Sequence, residues 1–322
     1  MSRSTLAGKV MLVTGAARGI GEHTARLAAE RGVRLALVGL EPERLAALAA
    51  ELGPQHLWYA CDVTDQAGLD TAVRAVVRAA GRIDVVVANA GIASRGTVAV
   101  GDFEALVRTV EVNLVGVMRT ARATVGHVVA SRGYYLLVSS AAAFAAMPGM
   151  AAYCASKAGV EQFGNALRLE LRHHGVAVGT AHPSWIDTDL VRDAKDDLPS
   201  FRYALRRLPW PLGSYTSVQA CARAFVRGIE RRRRRVYVPR AVAGVQAARS
   251  AFASPFSDAL VGHFARTVVP RMESEVRALG RGFGLHSAVA EAVGEDTSTQ
   301  PASPPATGAT AGPTGHPARR AR

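Results

Sequence analysis

The chain has 322 residues and is 49% hydrophobic, which is enough for one large core. Its three cysteines, Cys61, Cys154 and Cys221, are odd in number and scattered, a pattern that excludes a disulfide framework and a paired-cysteine metal site. The net charge of +13 is concentrated in the last third, because the stretch from Arg202 to Leu285 holds sixteen arginines and only four acidic residues.

The first predicted element is a short apolar strand, Lys9 to Val13, which leads into a glycine-rich turn and a helix ended by Gly32. The turn reads TGAARGIG, from Thr14 to Gly21. A strand, a turn of this kind and a helix together present backbone N–H groups to a pyrophosphate at the helix N-terminus. The turn therefore indicates a dinucleotide site, although its glycine spacing is GxxxGxG instead of the commoner GxGxxG.

Strands and helices continue to alternate along the chain. Further strands are predicted at residues 33–39, 56–60, 83–88, 135–139, 176–182 and 235–238. This alternation predicts an α/β fold with a Rossmann-type doubly wound parallel sheet in a single domain. Because right-handed crossovers bring the carboxyl ends of parallel strands to one edge, Gly15, Asn89, Ser140 and Pro183 should line one crevice.

The stretch after the fifth strand holds a hydroxyl, a phenol and an amine, on Ser140, Tyr153 and Lys157. If Tyr153 lies at the start of a helix, Lys157 follows one turn later on the same face. A positive charge there is expected to lower the pKa of the phenol from about 10 towards neutrality. Tyr153 can then donate or remove a proton at a carbonyl or alcohol oxygen, which Ser140 can hold by a hydrogen bond.

These motifs together resemble the short-chain dehydrogenase/reductase family over about residues 6 to 240. The similar segments are the TGAARGIG turn, the ANAG of Ala88 to Gly91, Asn113 within EVNL, and the set of Ser140, Tyr153 and Lys157. The resemblance implies an NAD(P)-dependent oxidoreductase that interconverts a secondary alcohol and a ketone, or an alcohol and an aldehyde.

The resemblance also implies a role for each residue. Tyr153 acts as the general acid in reduction and as the general base in oxidation. Lys157 lowers the pKa of Tyr153 and holds the nicotinamide ribose, Ser140 orients the substrate oxygen, and Asn113 positions a water that relays protons to Lys157. The implied cofactor-binding residues are Thr14, Gly15, Ala17, Arg18, Gly19, Ile20, Gly21, Asp62, Val63, Asn89, Ala90, Gly91, Tyr153, Lys157, Pro183 and Thr188.

Three positions bear on the choice between NADP and NAD. In NAD-preferring relatives an Asp ends the second strand, whereas this chain has Gly39 there, followed shortly by Glu41. Arg18, in the glycine turn, can bind the 2′-phosphate of NADP, and Glu41 can bind the free ribose of NAD. We expect a preference for NADP and leave NAD as the alternative.

The loops after the fifth and sixth strands are rich in large apolar side chains. We expect Phe144, Met147 and Trp185 to line the substrate pocket, with lid residues drawn from Phe201, Tyr203 and Trp210. A pocket of this kind suits a bulky hydrophobic small molecule. Similar proteins are dimers or tetramers, so we also expect a homo-oligomer.

The basic last third divides into three parts. Arg231 to Arg235 has no interleaved aromatic residues and is interpreted as a solvated helix end, with no nucleic-acid partner. Residues 241–285 predict a basic amphipathic helical extension, which fits either a peripheral membrane contact or a subunit interface. Residues 286–322 are rich in small residues and proline and predict a disordered tail after a catalytic domain of residues 1–240.

No apolar run reaches the roughly 18 residues of a membrane span, and no apolar leader opens the chain, so we expect a cytoplasmic protein. The alternative function is a non-catalytic protein that uses the same fold to sense NAD(P) or to bind a membrane surface. The joint presence of Asn113, Ser140, Tyr153 and Lys157 favours the enzyme.

Overall fold

The computed structural model describes residues 5–208, 213–252 and 254–286. A parallel sheet of seven strands, in the order β3-β2-β1-β4-β5-β6-β9, forms its centre. The strands of this sheet are β1 Val10–Thr14, β2 Arg34–Gly39, β3 Leu57–Ala60, β4 Val85–Ala88, β5 Tyr134–Val138, β6 Ala177–Pro183 and β9 Arg235–Val238. Two short strands, β7 Trp185–Ile186 and β8 Tyr215–Thr216, pair separately. The chain adds β2 and β3 on one side of β1 and then returns to add β4 and the later strands on its other side, as in a doubly wound sheet. The predicted fold class is therefore confirmed.

Helices cover both faces of the sheet. Their bounds are α1 Gly19–Ala29, α2 Pro42–Leu52, α3 Gln66–Ala80, α4 Phe103–Val110, α5 Gly116–Ala130, α6 Ala151–Glu170, α7 Asp189–Asp197, α8 Pro199–Arg207, α9 Val218–Glu230, α10 Val242–Ala247, α11 Arg249–Phe252 and α12 Pro255–Leu279. One core layer packs α1, α2 and α9 against the sheet, and the other packs α3, α5 and α6. Strands buried on both faces explain why β4 is an unbroken apolar run, Val85 to Ala88.

Helices α7 and α8 lie in residues 184–212, which show no clear periodicity in the sequence. Their apolar side chains meet a third cluster, in which Leu198 and Phe201 pack with Val268, Met272 and Val276 of α12. Since the partner is distant in sequence, the helices could not be recognised from local pattern alone. The same packing buries Val268, Met272 and Val276, and a membrane contact of this segment stays a prediction.

Within the described residues no helix is both long and apolar enough to span a bilayer. One arginine of the run after α9 has a structural role. Arg232 donates hydrogen bonds to the carbonyl oxygens of Arg132, Gly133 and Gly175. The predicted tail, residues 286–322, lies outside the described residues except for His286. The division of the chain at residue 240 stays a prediction.

Candidate active site

In the glycine turn between β1 and α1, backbone segments lie so close together that side chains at two glycine positions would not fit. Gly15 has φ of +62°, and a Cβ there would lie 2.8 Å from the Cα of Ala90. A Cβ on Gly21 would collide with the carbonyl oxygen of Gly15. Helix α1 begins after Arg18 without a side-chain cap, so its first N–H groups face outward for an anion. The turn therefore fits the pyrophosphate of a dinucleotide.

Thr14 and Asn89 hold this turn against the end of β4. The Asn89 amide donates to the carbonyl oxygens of Thr14 and Gly15, at 3.1 and 3.2 Å. The Thr14 hydroxyl accepts from the N–H groups of Asn89 and Ala90, at 3.0 and 3.2 Å. These hydrogen bonds hold the loop after β1 against the loop after β4, as the crossover rule predicts.

Asp62 and Val63 follow β3 on the same edge. Burial opposes ionisation of Asp62, but the N–H of Thr64 and the guanidinium of Arg108 outweigh it and lower its pKa. The Arg108 Nη2 lies 2.6 Å from the Asp62 carboxylate. Val63 is buried, and a Cβ on Gly116 would lie 2.7 Å from its Cγ2. Their implied contact with the adenine stays a prediction.

Arg18 is already held by acidic side chains. Its Nε donates to the Glu41 carboxylate at 2.8 Å, Nη2 bonds the other oxygen, and Asp189 lies 3.8 Å away. The Glu41 hydrogen bond is the main cause of a raised Arg18 pKa. The remaining Arg18 Nη1, the atom nearest Asp189, is buried and has no hydrogen-bond partner among the described residues. The Arg18 guanidinium, which was expected to bind the 2′-phosphate of NADP, is therefore already paired with Glu41.

Thr188 and Pro183 approach the site from the other side. Thr188 precedes α7, and a Cβ on Gly19 would lie 3.5 Å from the Thr188 methyl group. Pro183, at the end of β6, accepts a hydrogen bond from the Ser140 hydroxyl at 3.3 Å. Thr188, just before α7, is thus next to the glycine turn, and Pro183 is next to Ser140. Of the other turn residues, Ala17 is buried and Ile20 is half-buried.

Tyr153 lies in the first turn of α6, close to Ser140 at the end of β5. Burial raises the pKa of the Tyr153 phenol to about 12, and the nearby Ser140 hydroxyl offsets only part of that effect. The expected lowering towards neutrality is therefore wrong for this geometry, because loss of hydration disfavours the phenolate more strongly than its neighbours favour it. With a pKa of about 12, the Tyr153 phenol is protonated at neutral pH.

Lys157 follows Tyr153 by one helical turn and is 3% exposed. Its Nζ donates to the carbonyl oxygen of Val138 at 3.0 Å and lies 5.5 Å from the centre of the Tyr153 ring. Burial lowers the pKa of Lys157 to about 8. The Ser139 hydroxyl donates to the Lys157 carbonyl oxygen at 2.7 Å and fastens α6 to β5.

Asn113 lies in a π-helical turn, Glu111–Val115, between α4 and α5. Its Oδ1 accepts from the N–H of Ile92 at 2.8 Å, and its Nδ2 donates to the Ile92 carbonyl oxygen and the Ser156 hydroxyl. A Cβ on Gly91 would lie 3.1 Å from Asn113 Oδ1 and 3.3 Å from Lys157 Nζ. The Asn113 side chain therefore clamps the segment after β4 beside Lys157, and its implied water relay stays a prediction.

The described residues also form a small apolar cleft, of about 40 Å³. Its walls come from the segments 93–96 and 148–150, from α7 and α8, and from α12. Lining residues include Ala93, Pro148, Met150, Leu190, Phe201 and Met272. Met150, which precedes α6, lines the cleft, whereas Ser140 and Tyr153 are not among its lining residues.

The three predicted pocket residues do not line this cleft. Phe144 packs in a buried cluster with Val242 and Val245 and against the ring of His182, because α10 folds back over it. Trp185 packs edge-on against Phe201, at a centroid distance of 5.5 Å. Met147 is half-buried next to Pro148. Among the predicted lid residues Phe201 lines the cleft, and Trp210 lies outside the described residues.

Comparison with known proteins agrees with this geometry. The family model for the short chain dehydrogenases matches residues 9–199. The chain belongs to this family, and it is an oxidoreductase that uses a nicotinamide cofactor, NAD or NADP.

Individual relatives cover most of the same region. The chain is 38% identical to D-threitol dehydrogenase of Mycolicibacterium smegmatis over 59% of this chain and 75% of that protein. It is 33% identical to putative oxidoreductase SadH of Mycobacterium tuberculosis over 73% of this chain and 87% of the relative. A crystal structure of a short-chain type dehydrogenase/reductase from Mycobacterium marinum is 28% identical, with a TM-score of 0.63, over 70% of this chain and 89% of that one.

Proposed function

We propose that the chain is an NAD-dependent dehydrogenase that interconverts a bulky hydrophobic secondary alcohol and its ketone. The observation that carries this proposal is an apolar cleft next to the start of α6, the helix whose first turn holds Tyr153 with a phenol that is protonated at neutral pH. Bound NAD supplies or accepts the hydride. The chain's own residues supply proton transfer, orientation and exclusion of water.

Tyr153 is proposed to donate its phenol proton to the carbonyl oxygen during reduction and to take the proton back during oxidation. Ser140 is proposed to donate a hydrogen bond to the same oxygen, exchanging its bond to the Pro183 carbonyl for one to the substrate. The buried Lys157 is charged below a pH of about 8 and favours the phenolate that remains after transfer. Asn113 keeps the Ile92 backbone, and with it the ANAG segment, in place beside Lys157.

The apolar lining supports a hydrophobic substrate in preference to a polyol such as the D-threitol of the named relative. Each substrate hydroxyl buried without a partner would cost about 1–3 kcal/mol. We therefore expect the kcat/KM of NAD-linked cyclooctanol oxidation to exceed that of D-threitol oxidation by at least about tenfold. The measurement is the appearance of reduced nicotinamide by absorbance. A preference for D-threitol would contradict the apolar substrate class, and no oxidation of either would contradict the dehydrogenase.

The Arg18–Glu41 ion pair supports NAD as the cofactor, against our expectation from the sequence. A 2′-phosphate at this position would have to displace the Glu41 carboxylate from Arg18 and would face its negative charge. Arg44, which lies 3.4 Å from Glu41, is exposed and gives little compensation. The free ribose of NAD can instead bind to Glu41.

We expect the protein to bind NADH at least about tenfold more tightly than NADPH, a difference of about 1.4 kcal/mol. Glu41→Gln removes the repelling charge and should reduce this ratio, mainly by tightening NADPH. Titration of nicotinamide fluorescence measures both affinities. The matched control is Glu51→Gln, which breaks an exposed pair with Arg26 and should leave the ratio unchanged. Tighter binding of NADPH by the wild type would overturn the assignment.

A homo-oligomer and a cytoplasmic location stay predictions. Exposed apolar side chains on adjacent helices, Phe103 and Val107 on α4 and Met118 on α5, support self-association. The alternative of a non-catalytic NAD(P) sensor predicts cofactor binding without turnover, which the alcohol assay detects.

A further inference from the structure

Helix α12 lies wholly beyond residues 9–199, the part of the chain that the family model matches. Nevertheless, it packs against the substrate side of the crevice. Val268, Met272 and Val276 recur at every fourth position, are each buried, and face α7 and α8. The exposed side of the same helix carries Arg266 and Arg271.

Among the described side chains of α12, Met272 lines the apolar cleft. Leu190 of α7 lines the same cleft, and Met272 is 3% exposed. Its sulfur packs so closely on Gly149 that a Cβ at Gly149 would collide with it. Gly149 also has φ of +76°, a conformation that favours glycine, and it lies four residues before Tyr153. Met272 therefore forms the wall of the cleft that is next to the catalytic helix.

The segment after α12 fastens this wall to the rest of the site. The Arg95 N–H donates to the carbonyl oxygen of Gly282 at 2.8 Å, and Ser94 forms an antiparallel bridge with Phe283. Ser94 and Arg95 themselves line the cleft. The segment that follows ANAG and the segment that follows α12 are thus joined directly at the cleft.

A buried ionic cluster makes the same connection to α7. Asp197 binds both Arg95, at 3.3 Å, and Arg281, and the side chains of Asp197 and Arg95 are 6% and 4% exposed. Asp193 accepts hydrogen bonds from the backbone N–H and the ring of His286, at 3.0 and 2.7 Å. Since α7 carries Leu190 and Ala194 of the lining, both sides of the cleft are tied to the end of α12.

We propose that α12 is a built part of the substrate site and that Met272 is a specificity-determining residue, which sets the largest hydrophobic ketone or alcohol accepted at Tyr153. The proposal rests on the proposed function, because it names the residue that limits that substrate class. Removal of the Met272 side chain beyond Cβ enlarges the cleft at the wall nearest the catalytic helix. Such a change should favour larger substrates without affecting cofactor binding.

The test compares cyclohexanone, cyclooctanone and cyclododecanone as substrates with NADH. For Met272→Ala we expect the ratio of kcat/KM for cyclododecanone to that for cyclohexanone to rise by at least about tenfold over the wild type. Met272→Leu, which keeps most of the volume, should stay within about threefold of the wild-type ratio. NADH affinity, from fluorescence titration, should be the same in all forms and reports that the variants are folded.

Val268→Ala is the matched control. Val268 lies one turn earlier on the same helix, is also 3% exposed and belongs to the same cluster, but it is not among the residues that line the cleft. Val268→Ala should lose stability, as Met272→Ala does, but it should keep the wild-type ratio of kcat/KM for cyclododecanone to that for cyclohexanone. Equal ratios in Met272→Ala and Val268→Ala, with the wild type active, would overturn the role of Met272 alone. An inactive wild type that still binds NADH would overturn the proposed function and this proposal with it.

Discussion

Replacement of Tyr153 by Phe is expected to lower kcat for ketone reduction by about 10²–10⁴-fold, while NADH still binds. The substitution removes only the phenol hydroxyl and keeps the ring on the first turn of α6. Because burial raises the pKa of that hydroxyl to about 12, it is protonated at neutral pH, as the proposed role of proton donor in reduction requires. Stopped-flow or steady-state oxidation of NADH measures the loss.

The control for this variant is Tyr135→Phe. Tyr135 is also a buried phenol, bonded to the Thr124 hydroxyl at 2.8 Å, but it lies within β5 and away from the cleft. It should lose about 1 kcal/mol of stability and keep its kcat. Equal activity of Tyr153→Phe and the wild type would exclude Tyr153 as the acid.

The pKa of Tyr153 also fixes the sign of the pH dependence. Reduction uses the phenol and should be nearly independent of pH well below about 12. Alcohol oxidation uses the phenolate, so its rate should rise by up to about tenfold per pH unit. The rise should become shallower above a pH of about 8, where Lys157 loses its proton and no longer favours the phenolate. An oxidation rate that falls as pH rises would contradict this role.

Replacement of Asp197 by Ala is expected to lower the free energy of unfolding by about 3–5 kcal/mol. Asp197 is the shared partner of Arg95 and Arg281, and the Arg95 side chain is only 4% exposed. Burial already lowers the pKa of Arg95, an effect that the Asp197 carboxylate opposes. Without Asp197, the Arg95 charge stays buried with only the more distant Asp193 to offset it. Urea unfolding followed by circular dichroism measures the change.

The comparison variant is Asp187→Ala, which removes an equally direct carboxylate–arginine pair. Asp187 and Arg192 are 49% and 55% exposed, and such solvent-screened surface pairs contribute little to stability. If both variants lost the same small amount of stability, the Arg95 cluster would not hold the C-terminal segment as we describe.

The sheet, the glycine turn and the order of the candidate catalytic side chains could be predicted from residue patterns. These features depend on short-range chemistry: continuous apolar strands such as Val85 to Ala88, glycines where backbone approaches backbone, and a Tyr and Lys one helical turn apart. The crossover rule then brings Asn89, Ser140 and Pro183 to one edge. The corresponding strands lie within about two residues of their predicted bounds.

The surroundings of those side chains, and the residues that line the cleft, depend on the tertiary structure. The direction of the Tyr153 pKa depends on burial, which no spacing encodes, and the Arg18 charge is engaged by a Glu41 twenty-three positions away. Phe144 lies in the core because α10 covers it, and Met272 lines the cleft because α12 returns to α7 and α8. Each of these outcomes is set by contacts between segments far apart in sequence. The local hydrophobic periodicity of a helix does not show which distant part of the chain that helix will pack against.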